Sequence, residues 1–114
     1  MVRGKRPGEF EQVVLLTLAG FRSDATGREV YERLTETTGR EVSLAAVHIT
    51  LQRLHEKGWA RCHTSAPAAS EGGKPRRRYA LGPDGARMLG DLREQFDRLW
   101  GEASVHPLLA DDRG

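Results

Sequence analysis

Cysteine is nearly absent from this sequence. Cys62 stands alone, so no intrachain disulfide framework is available, and a reducing, cytoplasmic setting is expected. No uninterrupted apolar run approaches the roughly 18 residues that a membrane span requires, which excludes an integral membrane chain and leaves no membrane partner expected. Residues 1–8 are basic, but no apolar stretch follows them, so they read as a flexible basic arm rather than a secretory signal. Catalytic constellations are missing too. Gly73-Lys74 lacks the earlier glycine and the following hydroxyl of a phosphate-binding loop. There is no Ser-His-Asp set or pair of carboxylates in a pocket-forming context, so no enzyme activity, catalytic residue or cofactor is expected. A metal site is not expected either: Cys62 and His63 are neighbours on an anticipated strand and point to opposite faces, while His48 and His55 lie seven apart.

Apolar material is in short supply. The 114 residues are 38% hydrophobic and 30% charged, against averages of roughly 45–50% and about 25%. A chain this small must bury most of its apolar surface, so a second copy is expected to complete the core. The net charge of +2 conceals an uneven distribution. Residues 1–83 carry 14 Lys/Arg against 9 Asp/Glu, whereas residues 84–114 carry 4 against 7. Lys74, Arg76, Arg77 and Arg78 concentrate the positive charge further. A basic portion joined to an acidic one points to a polyanion-binding module with a separate assembly element.

Periodicity supplies the elements. Phe10, Val13, Val14 and Leu18 recur at helical spacing before Gly20. Thr26-Gly27-Arg28-Glu29 has the form of a capping box, followed by the stripe Val30, Tyr31 and Leu34 and a stop at Gly39. Ser43 caps a third helix that runs from Leu44 to Lys57 and ends at Gly58 in a left-handed conformation. On it, Leu44, Val47, Leu51 and Leu54 fall within about 80° of one another. Ala45, His48, Ile49, Gln52 and Arg53 lie on the other side, and an exposed Ile49 beside small alanines makes sense on a face that something covers. Residues 59–64 and 76–81 have strand character and flank a small-residue, Gly/Pro-containing tip, which predicts a hairpin with Arg77, Tyr79 and Leu81 on one face. Gly82-Pro83 opens a last helix whose Leu89, Leu92, Phe96, Leu99 and Ala103 are spaced 3, 4, 3 and 4 apart, a narrow coiled-coil seam.

Three helices followed by a basic hairpin is the order of a winged helix-turn-helix domain. The expected fold is therefore mainly α with a small β-hairpin: an arm over 1–8, the winged domain over 9–82, a dimerisation helix over 83–105 and a disordered tail over 106–114. Such a module places a helix in the major groove of double-stranded DNA and uses cationic hairpin residues to neutralise phosphates. The corresponding candidates are Ser43, Ala45, Ala46, His48, Ile49, Gln52 and Arg53 on the helix, with Lys74, Arg76, Arg77 and Arg78 on the hairpin. Arg77, sharing its face with Tyr79, has packing within the domain as an equal alternative. A winged-helix adaptor that binds protein and no nucleic acid is the rival reading, and the Lys74–Arg78 cluster argues against it.

The run Val42-Ser43-Leu44-Ala45-Ala46-Val47-His48-Ile49-Thr50-Leu51-Gln52-Arg53-Leu54-His55-Glu56-Lys57-Gly58 resembles the recognition-helix signature of PadR-family transcriptional regulators. Gly72-Gly73-Lys74-Pro75-Arg76-Arg77-Arg78-Tyr79-Ala80-Leu81, followed by Gly85, is similar to that family's wing, and Gly27-Arg28-Glu29-Val30 to the opening of its second helix. The resemblance covers about residues 9–100. It implies a homodimeric bacterial repressor, and in many members a response to small phenolic or lipophilic compounds. Two positions depart from the pattern: His48 replaces the usual Tyr, and Gly82 the usual Thr. Trp100, beside the seam, is the candidate for stacking on a flat lipophilic effector or for packing across the dimer.

Overall fold

The computed structural model describes residues 6–65 and 75–110. Among them, the order is α1 (Glu9–Ala19), β1 (Ala25–Thr26), α2 (Gly27–Thr38), α3 (Leu44–Glu56), β2 (Ala60–Ser65), β3 (Arg76–Leu81), α4 (Pro83–Ala103) and α5 (Pro107–Ala110). The helix starts are the capped positions anticipated from sequence. At α2 the Thr26 hydroxyl accepts from the Glu29 amide at 3.2 Å and the Glu29 carboxylate accepts from the Thr26 amide at 2.9 Å. At α3 the Ser43 hydroxyl accepts from the Ala46 amide at 3.0 Å. Gly39 and Gly58 follow their helices with φ of 72° and 82°, a region that only glycine enters cheaply.

The core lies where the three helices meet. Val14, Leu15 and Leu18 of α1, Val30 and Leu34 of α2, and Val47, Leu51 and Leu54 of α3 have no exposed surface. Trp59 and Tyr79 close it from the sheet side. Two ion pairs tie the ends of the helices together: Lys57 Nζ reaches Glu11 at 2.8 Å, and Arg40 pairs with Glu9. Burial alone would raise the Glu11 pKa, but bonds from Lys57 and from the Gly8 amide outweigh it, leaving the carboxyl below its ordinary range.

The sheet is antiparallel in the order β1-β3-β2. The hairpin register runs from Ala60 opposite Leu81 to Ser65 opposite Arg76. β1 was not anticipated; it pairs only Ala25 with Tyr79 and Thr26 with Arg78. This makes β3 the middle strand and fixes the wing to the start of α2.

α4 has 21 residues, a length of roughly 32 Å at 1.5 Å per residue. Its first turn is seated on the backbone before β2: the Gly82 amide donates to the Trp59 carbonyl at 3.0 Å. Gly85 lies so close that a Cβ there would stand 2.2 Å from the same oxygen. The rest of α4 projects, and the Cα radius of gyration of 16.9 Å exceeds the roughly 13 Å of a compact chain of this length.

At the start of α1 the Pro7 carbonyl accepts from Gln12 Nε2 at 3.3 Å and the Gly8 amide donates to Glu11 at 3.0 Å. Beyond α4, Pro107–Ala110 form a short helix instead of disordered tail, because the His106 carbonyl and Nδ1 accept from the amides that follow. The remaining expectations for the arm and tail concern residues 1–5 and 111–114, outside the described residues.

Candidate functional site

The two sides of α3 divide as its periodicity predicts except at Leu44, which is half-buried and borders a concave surface instead of joining the core. Val47, Leu51 and Leu54 face the core, while Ala45, His48, Ile49 and Arg53 are exposed, and Ala46 and Gln52 half-buried. Ile49 leaves 55% of its surface in water. Beside this face run two adjoining concavities. One, of about 430 Å³, lies between α3 and β3 and includes His48, Ile49, Gln52, Arg53 and Arg77. The other, of about 380 Å³, lies over the starts of α2 and α3 and includes Arg28, Leu44 and Arg76. His48 and Arg77 border both, so they form one continuous surface. It carries Arg28, Arg53, Arg76 and Arg77, with Glu56 among its lining residues and Glu32 reaching Arg28 at 3.8 Å from the next turn of α2.

Arg28 escaped the sequence reading. The available signal was its place two residues after the Thr26 cap, since a residue in a helix's first turn that is not on the apolar stripe faces solvent. The His48 imidazole lies over that same turn: a Cβ on Gly27 would stand 2.3 Å from its Cε1. The glycine thus leaves room for the ring at the junction of α2 and α3.

Strand alternation separates the hairpin arginines. Arg77 lies on the Tyr79 side, where its guanidinium donates to the Tyr79 hydroxyl at 3.4 Å and to Gln52 Oε1 of α3. Gln52 Nε2 in turn donates to Glu56 at 3.2 Å. Arg77 thus makes contacts within the domain while remaining exposed and bordering the surface. Arg78 lies on the opposite side and is half-buried. Its Nε donates to Asp24 at 3.0 Å, Glu29 lies 3.7 Å away, and His63 Nε2 contacts the same Asp24 at 2.7 Å. The bonds from His63 and then Arg78 hold the Asp24 carboxyl below its usual range. The expectation that Arg78 is a free phosphate contact is therefore corrected: two carboxylates already neutralise it, on the side of β3 away from α3. Arg76 is exposed, and Lys74 lies outside the described residues.

The His63–Asp24 contact also puts the imidazole on the side away from Cys62, which packs against the core. Among the described residues, no group of three His, Cys, Asp or Glu side chains is placed to hold a metal ion. No helix among them is long and apolar enough to cross a membrane.

The seam on α4 is divided between two roles. Leu89 is partly buried against the core of its own chain, and Leu92 is half-buried and borders the same concavity as Trp59. Local spacing cannot distinguish the two, because a helix stripe looks the same whichever molecule covers it. Farther along, Phe96, Leu99 and Trp100 expose 49%, 58% and 58% of their surfaces. With Ala103 and Leu109 they border an apolar hollow of about 280 Å³.

No family model matches the chain, and no curated protein sequence is similar to it. Solved structures do resemble it. A PadR-like transcription factor from Bacteroides fragilis superposes with a TM-score of 0.70 at 23% identity, over 85% of this chain and 87% of that one. A PadR-family transcriptional regulator from Eggerthella lenta gives 0.67 at 24% identity, over 91% and 88%. Bacillus subtilis PadR, in complex with operator DNA, gives 0.63 at 16% identity over 74% of this chain and 46% of its own. The fold is that of the PadR-like winged-helix transcription regulators.

Proposed function

We propose that this chain, with its PadR-like fold, is a non-catalytic transcriptional regulator that binds double-stranded DNA as a homodimer and acts as a repressor on an inverted repeat. The observation that carries the reading is the continuous concave surface beside α3, where Arg28, Arg53, Arg76 and Arg77 converge and cations outnumber carboxylates. α3 has the dimensions of a major-groove helix, and Ser43 with the amides of its first turn suits a phosphate at the groove edge. Ala45, Ala46 and Ile49 supply apolar contact for thymine methyl groups. Arg28, Arg53 and Arg76 are assigned to the backbone, where they set register and affinity rather than sequence.

The apolar end of α4 supports the dimer. Phe96, Leu99 and Trp100 form an exposed cluster on a projecting helix, and a second copy would cover it. Two α3 helices joined in this way reach successive turns of a duplex when the half-sites are about 34–36 Å apart. The hollow beside Trp100 suits a flat lipophilic effector that releases the DNA. A regulator of this kind works in the cytoplasm. The test is a mobility-shift titration with duplexes from upstream of the coding region, at two salt concentrations. The reading requires binding that weakens steeply with salt and a preference for an inverted repeat; a strictly monomeric protein that ignores duplex DNA in dilute buffer overturns it.

A further inference from the structure

Gln52 is held on both sides of its amide. Arg77, which can only donate, bonds Oε1 from the wing, and Glu56, which as a carboxylate can only accept, bonds Nε2 from the next turn of α3. The partners' chemistry leaves one orientation of the amide, since a flipped group would set N–H against guanidinium and oxygen against carboxylate. Tyr79 anchors Arg77 in turn, with its hydroxyl at 3.4 Å from the guanidinium and its ring in the core. An amide oxygen has two lone pairs and an amide nitrogen two hydrogens. One of each is used within the protein, so one acceptor and one donor remain. Adenine presents the complementary pair in the major groove, an N6 donor and an N7 acceptor. Guanine presents two acceptors there, which the amide cannot satisfy together.

We propose that Gln52 reads an adenine in each half-site, and that Arg77 and Glu56 are positioning residues that set its amide for that base. The assignment rests on the DNA-binding reading above and deepens it. It divides the wing between two tasks: Arg76 serves the backbone, while Arg77 acts through Gln52. Preordering also lowers the side-chain entropy lost on binding, because the amide is already oriented before the base arrives.

The test is selection of randomised duplexes by the full chain, followed by affinity measurements on the enriched sequence and its single-base variants. The unmodified protein is expected to prefer adenine over guanine at one position of each half-site by roughly 5- to 150-fold. Gln52→Ala and Arg77→Met each lose that preference at the same position and keep the others, and Arg77→Met leaves the slope of log affinity against log salt unchanged. Glu56→Ala, at a solvent-facing helical position that tolerates alanine, blurs the same preference. If Arg77→Met keeps the adenine preference and its salt slope falls by about 0.9, Arg77 is a phosphate contact and the inference is wrong. Unchanged selectivity in Glu56→Ala or Gln52→Ala overturns it equally. Failure of the unmodified chain to enrich any duplex overturns the DNA-binding reading itself, and is separate from these results.

Discussion

Replacing Gly85 by alanine opposes two effects of different size, and the structure says which prevails. Gly85 sits in the first turn of α4, and on helix propensity alone alanine would gain about 0.8–1.0 kcal/mol there. The added Cβ, however, would lie 2.2 Å from the Trp59 carbonyl oxygen and 3.0 Å from its carbon. Relief requires α4 and the backbone at Trp59 to separate by about 1 Å, and overpacking of this kind costs about 1–3 kcal/mol. That movement also stretches the 3.0 Å bond from the Gly82 amide to the same oxygen, worth about 1 kcal/mol. The net expectation is a loss of about 1–3 kcal/mol, or a fall of several degrees in Tm for a chain of this size. Gly90 of the same helix is the control, because nothing lies within 4 Å of a Cβ placed there; Gly90→Ala should raise stability by about 0.5–1 kcal/mol. Thermal unfolding followed by circular dichroism gives both signs. A Gly85→Ala protein as stable as the parent would refute the claim that α4 is seated through this contact.

Arg76→Ala and Arg78→Ala should part company: the first weakens binding to every duplex and lowers the salt slope by about 0.9, whereas the second mainly lowers Tm, since it leaves Asp24 and Glu29 without their guanidinium. A reduced salt slope in Arg78→Ala with Tm unchanged would return that residue to the DNA surface. Leu99→Asp should give a monomer by sedimentation at concentrations where the parent is dimeric, with loss of inverted-repeat binding; an unaltered dimer would show that the exposed end of α4 is not the joint. Glu9, Glu11 and Asp24 all have carboxyl groups held below the ordinary carboxylate range by their cationic partners and hydrogen bonds. A depressed folded-state pKa contributes stability that is present above the unfolded value and lost as pH falls through the folded one. Unfolding midpoints should therefore decline as pH drops below about 4.5, and Lys57→Met should blunt that decline; a flat acid limb in the parent would contradict these pairings.

The helical part of the fold was legible because its signals are local. Thr26 with Glu29, and Ser43 with the amide of Ala46, are bonds between residues three apart, and the buried stripe of α3 repeats with the helix itself. The exposed face of α3 was readable for the same reason. What stayed hidden depends on distant partners. β1 is two residues long, too short for any alternation, and exists because β3 lies beside it. The neutralisation of Arg78 comes from Asp24, 54 positions away, so its sequence neighbours suggested a cationic cluster that the fold partly disperses. Leu89 carries an apolar signal that periodicity cannot assign to one partner, and part of its surface is covered by its own chain. Gly85 offered a clue that spacing analysis passes over, since a glycine within a helix often marks close backbone approach.

The extent of β1 has a mechanical consequence. Its pairing ends with Thr26 opposite Arg78, so Arg78 is the last residue of β3 with a strand on both edges, while Arg77 and Arg76 have β2 as their strand partner. The root of the hairpin is therefore held twice over within two residues, at Arg78 by the strand that enters α2 and at Arg77 by a side-chain bond to Gln52 of α3, so a load on the strand there is shared between both helices.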